Sequence, residues 1–239
     1  MNEKLIKKQS IRSFVRREGR LTTSQKRALE TLWMKYGIIF TEKKIVFEEI
    51  FRNSFNVILE IGFGNGSSLL AMAKSHPNLN YLGVEIYRPG IASLLLGLKK
   101  EGITNLRICQ EDVVSVLKYS IPEDSLAGIH IFFPDPWPKK RHHKRRLIQA
   151  DFVALMVQKL KPGGKLYLAT DWENYALQMI NVLSHFDSLK NKAGPGQFLF
   201  QNEDRMTTKF ERRGKRLGYR IWDLGFVRLS PESRGRGAG

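Results

Sequence analysis

The sequence predicts one doubly wound α/β domain on a mostly parallel sheet, and three observations predict it. Short β-rich apolar runs alternate with segments of helical periodicity, a glycine cluster joins the first core run directly to a helix, and 239 residues leave room for one such domain but hardly for two. Strand and helix alternating at this spacing require crossover connections, so the strands run parallel and helices cover both faces.

Residues 1–23 form a basic arm whose apolar positions are scattered, and order is expected there only on a partner. Helical periodicity predicts a helix over residues 24–36 and a short one over residues 45–51. Core strands follow at residues 56–61, 81–84, 107–110, 128–133 and 165–169, with helices at residues 67–75, 89–100 and 147–160. Pro162-Gly163-Gly164 turns the chain from the last of these helices into the fifth strand. Residues 218–229 read as a late strand or hairpin, so the domain spans residues 24–229, and residues 230–239 are a flexible Gly/Ser/Arg tail.

Forty Lys plus Arg against 23 Asp plus Glu give a net charge of +17, which points to a polyanionic partner. No segment pairs a basic face with a broad apolar one, so nucleic acid is favoured over a membrane surface. A hydrophobic content of 42% argues against disorder. No apolar run reaches the roughly 18 residues of a membrane span, and the N-terminal stretch lacks the apolar core of a secretory signal, so a cytoplasmic address is expected. The single cysteine, Cys109, has nothing to pair with and reads as a core thiol.

Directly after the first core strand stands Glu60-Ile61-Gly62-Phe63-Gly64-Asn65-Gly66-Ser67. Glycines between strand and helix let the backbone approach a ligand closely. A dinucleotide fingerprint would place its third glycine where Ser67 stands; here the spacing is G-x-G-x-G. The acid ahead of the glycines is a poor neighbour for pyrophosphate and a good one for the cationic amino and sulfonium groups of S-adenosylmethionine. Glu60, Gly62, Gly64 and Gly66 are therefore candidate cofactor-binding residues. Glu85 ends the second strand, where a carboxylate accepts from both ribose hydroxyls. Nicotinamide enzymes place an acid there too, so Glu85 indicates a nucleoside without saying which. Asp112, closing the third strand, is placed to accept from an adenine amino group. All three acids sit at carboxyl ends of strands, where open α/β sheets bind ligands.

The fourth strand runs into Pro134-Asp135-Pro136-Trp137-Pro138 and then Lys139-Lys140-Arg141-His142-His143-Lys144-Arg145-Arg146. Prolines on either side restrict the backbone around Asp135 and hold it beside the methyl donor. The basic run, six Lys or Arg in eight residues, abuts that centre and reads as a phosphate grip. His142 and His143 lack Cys or carboxylate partners at metal-ligand spacing and belong to the grip; no metal is expected.

With these motifs in place the chain resembles the bacterial tRNA (guanine-N7-)-methyltransferase family. The likeness rests on Glu60-Ile61-Gly62-Phe63-Gly64-Asn65-Gly66, on Val84-Glu85 with Gly90, and on Phe133-Pro134-Asp135-Pro136-Trp137 with Lys139 and residues 141–146. It continues through Ala169-Thr170-Asp171-Trp172 and Thr208-Lys209-Phe210-Glu211-Arg212-Arg213-Gly214, and covers residues 55–226. The resemblance implies a Rossmann-like, S-adenosylmethionine-dependent methyltransferase that modifies N7 of the guanine at tRNA position 46, in the variable loop. It implies that Glu60, Glu85, Asp112 and Asp135 contact the cofactor, with Asp135 also catalytic. It further implies substrate contacts from Lys139, Asp171, Thr208, Lys209, Phe210 and Glu211, and RNA contacts from Arg141, His142, His143, Lys144, Arg145 and Arg146. The expected partner is tRNA, with no membrane and no metal, and the expected state is a monomer, a homodimer being the alternative. Two departures stand out: Val113 follows Asp112 where a small alanine is expected, and the tail from Ser230 matches no family motif.

Three rivals are weighed against this reading. A methyltransferase acting on another RNA base or an exocyclic amine is the nearest, but amine-modifying enzymes carry an acid-proline-proline-aromatic turn and the order here is Pro-Asp-Pro-Trp. A non-catalytic RNA-binding protein would have no use for Glu60, the three glycines, Glu85 and Asp135 together. A nicotinamide oxidoreductase is third.

Overall fold

The computed structural model describes residues 19–200 and 220–230. Its five predicted core strands are β2 (Val57–Ile61), β3 (Asn80–Val84), β4 (Leu106–Cys109), β5 (Leu126–Phe132) and β6 (Leu160–Thr170), and its predicted helices are α1 (Thr23–Tyr36), α2 (Phe47–Phe51), α3 (Ser67–Ser75), α4 (Arg88–Glu101) and α6 (Ala150–Lys159). Further elements join them: β1 (Gly37–Ile38), α5 (Val113–Ser115) with a π-helical turn at Val116–Ser120, a 3-10 helix at Lys140–Arg145, α7 (Glu173–Ser184), β7 (Leu189–Asn191) and β8 (Trp222–Arg228).

Among the described residues eight strands make one sheet in the order β1-β4-β3-β2-β5-β6-β8-β7. It is parallel from β1 through β6, and β8 then runs antiparallel to both β6 and β7. The late strand predicted at residues 218–229 is thus a single strand that caps the parallel sheet. Every residue of β3 is buried, as expected of a parallel strand covered on both faces. One core layer gathers Leu69, Met72, Leu94 and Leu98 under α1, α3 and α4; the other gathers Leu59, Ile129, Val153 and Met179 under α6 and α7.

Local chemistry explains where the predicted bounds move. Helix α1 starts a residue early because Thr22 and Gln25 form a capping box: Gln25 N–H donates to Thr22 Oγ1 at 3.3 Å and Thr22 N–H to Gln25 Oε1 at 3.0 Å. Helix α6 is shorter than residues 147–160 because Leu160 already pairs with Leu126 in the sheet. Pro162-Gly163-Gly164 is accordingly a bulge within β6, not a helix-to-strand turn. The register jumps from Leu126↔Leu160 to Gly128↔Lys165, with Gly163 at φ +77°.

The chain climbs outward from β2 to β3 and β4, then returns to the other side of β2 for β5 and β6. Strand order therefore reverses between β2 and β5, and the crevice at their carboxyl ends is the switch point where such sheets bind ligands. Among the described residues no helix is long and apolar enough to cross a membrane.

Candidate active site

Alternation along β2 sends Leu59 and Ile61 into one core layer and Glu60 toward the other. Its sheet neighbours are Gly83 on β3 and His130 on β5. Glu60 is 3% exposed and its Oε2 has no hydrogen-bond partner among the described residues. Burial raises its pKa to about 8. A carboxyl held this way at the mouth of a glycine loop is short of a cation or a donor.

Gly62, Gly64 and Gly66 follow at φ +71°, +58° and +72°, a region that costs an L side chain about 1–2 kcal/mol. A Cβ on Gly62 or Gly64 would meet no atom within 4 Å, so the loop backbone borders open space. Gly90 serves the loop differently: a Cβ there would lie 1.9 Å from the Gly64 carbonyl oxygen, so only glycine lets the first turn of α4 seat against it. Glu85 closes the cradle. Its Oε2 accepts from Gly64 N–H at 2.9 Å and its Oε1 from Ile86 N–H at 2.7 Å and Tyr87 N–H at 3.0 Å. Asp112 stands at the next strand end, where its Oδ1 accepts from Val114 N–H at 2.8 Å and caps α5. A buried acid awaiting a cation, an open glycine backbone and two further acids on successive strand ends fit S-adenosylmethionine.

Across the switch point the site is made of side chains. Phe133 N–H donates to Ala169 O at 2.8 Å as β5 ends, and the chain then runs through Asp135, which is exposed. Phe132 is paired with Ala169, so Asp171 and Asp135 emerge from the same end of adjacent parallel strands. Asp135 lies close enough to buried Tyr175 to help raise its phenol pKa, although burial is the larger cause of the rise to about 12. The basic run folds back on this loop as the 3-10 helix, with the Arg145 guanidinium 5.0 Å from the Trp137 ring centre and the His142 ring edge-on to it at 5.7 Å. Lys139, Arg141, Lys144 and Arg145 are exposed, and His142 and His143 are half-buried.

Arg146 corrects the expectation that the whole run from Arg141 faces RNA. It is 2% exposed and turns inward, donating from Nε to Pro136 O at 2.8 Å, from Nη1 to Gln178 Oε1 at 2.5 Å and from Nη2 to Asn174 Oδ1 at 2.8 Å. Charge alone does not separate Arg146 from Arg145 in the sequence; the apolar Leu147-Ile148 that follows is the only sign that the chain is diving inward there. Asn174, Tyr175 and Gln178 carry no motif that marks them in the sequence either, although they recur at helical spacing. Thr208, Lys209, Phe210 and Glu211 lie outside the described residues. Cys109 is 1% exposed, and burial followed by the nearby Glu111 raises its thiol pKa to about 12, which suits a core residue.

The doubly wound sheet, the glycine cradle with its buried acid and the acids on successive strand ends define a Rossmann-like, S-adenosylmethionine-dependent methyltransferase. Residues 54–224 match the family described as "Putative methyltransferase", and the chain belongs to that family. Among its relatives is a tRNA (guanine-N(7)-)-methyltransferase of Nitrosococcus oceani, 52% identical over 218 residues that cover 91% of each chain. Another of the same name, from Hydrogenovibrio crunogenus, is 46% identical over 222 residues, 93% of this chain and 92% of the relative. Among solved structures, the 16S rRNA methyltransferase KamB superposes with a TM-score of 0.56 at 14% identity, over 77% of this chain and 93% of that one. The antibiotic-resistance methyltransferase Kmr gives 0.53 at 13% identity, over 81% and 95%. At such identities the likeness concerns the fold alone.

Proposed function

We propose that this chain transfers a methyl group from S-adenosylmethionine to N7 of the guanine at position 46 of tRNA. One observation carries the chemical half of the reading: Asp135 and Asp171 emerge side by side from β5 and β6, across the switch point from the glycine cradle on β2. The names of the close relatives support the choice of tRNA and of guanine N7, and a net charge of +17 suits a polyanionic substrate.

When bound, S-adenosylmethionine supplies an electrophilic methyl group. Guanine N7 carries a lone pair and no proton, so attack needs no base, and positioning supplies most of the acceleration. Positive charge grows on the purine as the bond forms, and the carboxylates of Asp135 and Asp171 stabilise that charge more than they stabilise the neutral base. A carboxylate accepting from the guanine N1 and amino edge also excludes adenine, which lacks those donors. Glu60 offers its buried carboxyl to the cationic end of the donor, while Asp112 faces the adenine. Glu85 already uses three of about four acceptor sites on backbone amides. To accept from two ribose hydroxyls it gives up Gly64 N–H.

The basic side chains from Lys139 to Arg145 hold phosphates beside this centre, and Thr208, Lys209, Phe210 and Glu211 complete the substrate contacts. The target base, engaged in the folded tRNA, is splayed out to reach the carboxylates. Asp135→Ala should retain tRNA binding and lose turnover by about 10²-fold or more. A loss smaller than about tenfold would remove Asp135 from the catalytic role.

A further inference from the structure

We propose that Arg146 is a positioning residue: it bolts the Asp135 loop to helix α7 from beneath and so sets Asp135 relative to Asp171. The inference rests on Asp135 being the catalytic carboxylate.

The bolt joins two pieces of chain that leave adjacent strands. Pro136, whose carbonyl accepts from Arg146 Nε, directly follows Asp135. Asn174 and Gln178, which accept from the two terminal nitrogens, sit one turn apart on α7, which begins two residues after Asp171. Beneath them the guanidinium lies 4.8 Å from the centre of the Tyr175 ring. The planar fork meets three acceptors in three directions, a geometry that a lysine ammonium on a flexible stem does not reproduce.

Stability alone is a poor reason for this arrangement. Among the described residues the Arg146 acceptors are a carbonyl and two amides, all neutral, and burial lowers its pKa. An aliphatic side chain would fill the same space without desolvating a cation. The loop it holds, however, is under strain. Phe133 at φ +54° and Trp137 at φ +43° flank Asp135 in the left-handed region, which bulky residues occupy only where the surroundings enforce it. The Phe133 N–H bond to Ala169 fixes the upstream side, Arg146 fixes the downstream side, and Arg145 lies over Trp137. Two consecutive arginines thus hold one loop, Arg145 at the surface and Arg146 from the interior.

The test is single-turnover methyl transfer at saturating donor and tRNA, with binding constants and thermal midpoints measured alongside. Arg146→Lys should slow transfer by about 10²-fold, the scale set by an ångström of misplacement, while both dissociation constants stay within about threefold. The exposed Asn174 and half-buried Gln178 offer a milder version: Asn174→Ala with Gln178→Ala should slow the same step by about tenfold, and it carries the test if Arg146→Lys does not fold. In an Asp135→Ala background Arg146→Lys should cause little further loss, because a misplaced group that is already absent has nothing left to lose. A raised KM for tRNA with unchanged single-turnover rate would make Arg146 a binding residue and overturn the proposal, as would losses that multiply in the double variant. If Asp135→Ala itself transfers methyl at the normal rate, the catalytic reading of Asp135 fails. If Asp135→Ala is inactive and Arg146→Lys is normal, only the bolt fails.

Discussion

The two sides of the crevice are built by different means. On the β2 side the backbone makes the site: three left-handed glycines, a carbonyl in contact with Gly90 and three amides around Glu85 stand beside one buried carboxyl, Glu60, whose Oε2 has no hydrogen-bond partner among the described residues. On the β5 side the backbone is strained at Phe133 and Trp137, Asp135 is exposed, and its loop is tied through Arg146 to α7. On the proposed function, a cradle made of main chain would bind the common part of a donor, whereas a loop held by side chains would present one carboxylate to a particular base. Changes on the first side should therefore move donor affinity, and changes on the second should move rate or RNA binding.

The largest effect on the first side should come from Gly90→Ala. Its Cβ would meet a backbone oxygen at 1.9 Å, and relieving that overpacking should cost about 1–3 kcal/mol, or roughly 5- to 150-fold in donor affinity. Gly97→Ala on the same helix is the control, since its Cβ meets only the end of the Leu70 side chain, at 2.6 Å. Equal losses in the two variants, read by calorimetry with S-adenosylmethionine, would mean that the loop contact is unimportant.

Glu60 sharpens the comparison through pH. With its pKa raised from 4.5 to about 8 in the ligand-free protein, Glu60 is protonated at neutral pH, and a cationic donor favours the ionised form. Binding then releases a proton, and donor affinity should climb by up to about tenfold per pH unit to pH 8 and level off above it. Glu60→Gln should bind more weakly and lose the slope. Stability runs the other way. A raised pKa means that the folded state holds this proton more tightly than the unfolded chain, so the contribution is full below pH 4.5 and is lost as pH rises toward 8. The thermal midpoint of Glu60→Gln should lack that decline, and an unchanged decline would place its origin elsewhere.

The smallest effect should come from the exposed Lys144. Lys144→Ala should weaken tRNA binding by a few-fold and lower the salt slope of log affinity by about 1, with single-turnover rate intact. A salt slope that does not change would take Lys144 out of the phosphate grip.

The sequence shows the same division. Fully buried parallel strands read as short apolar runs, so β2 to β5 fall within two residues of their predicted bounds. The G-x-G-x-G spacing and the acids at strand ends marked the donor side, because left-handed backbone requires glycine and writes itself into the sequence. Strands β1 and β7, two and three residues long, are too short to show a period. Helix α7 does carry an apolar stripe at Tyr175, Met179 and Leu183, yet the prediction stops at the Ala169-Thr170-Asp171-Trp172 motif ahead of it. The inward turn of Arg146 was hidden within a run of like charges, since its partners, Asn174 and Gln178, stand some thirty residues downstream. Pro162-Gly163-Gly164 reads as a turn in the sequence because a bulge and a turn use the same residues.

The most direct measurement is the identity of the methylated atom. The purified chain, given S-adenosylmethionine labelled in the methyl group and either bulk tRNA or a tRNA whose guanine 46 is replaced by adenine, is followed by nucleoside mass spectrometry. Label should collect in 7-methylguanosine from bulk tRNA and disappear with the replacement. Label on any other atom, or undiminished label after the replacement, would contradict the account.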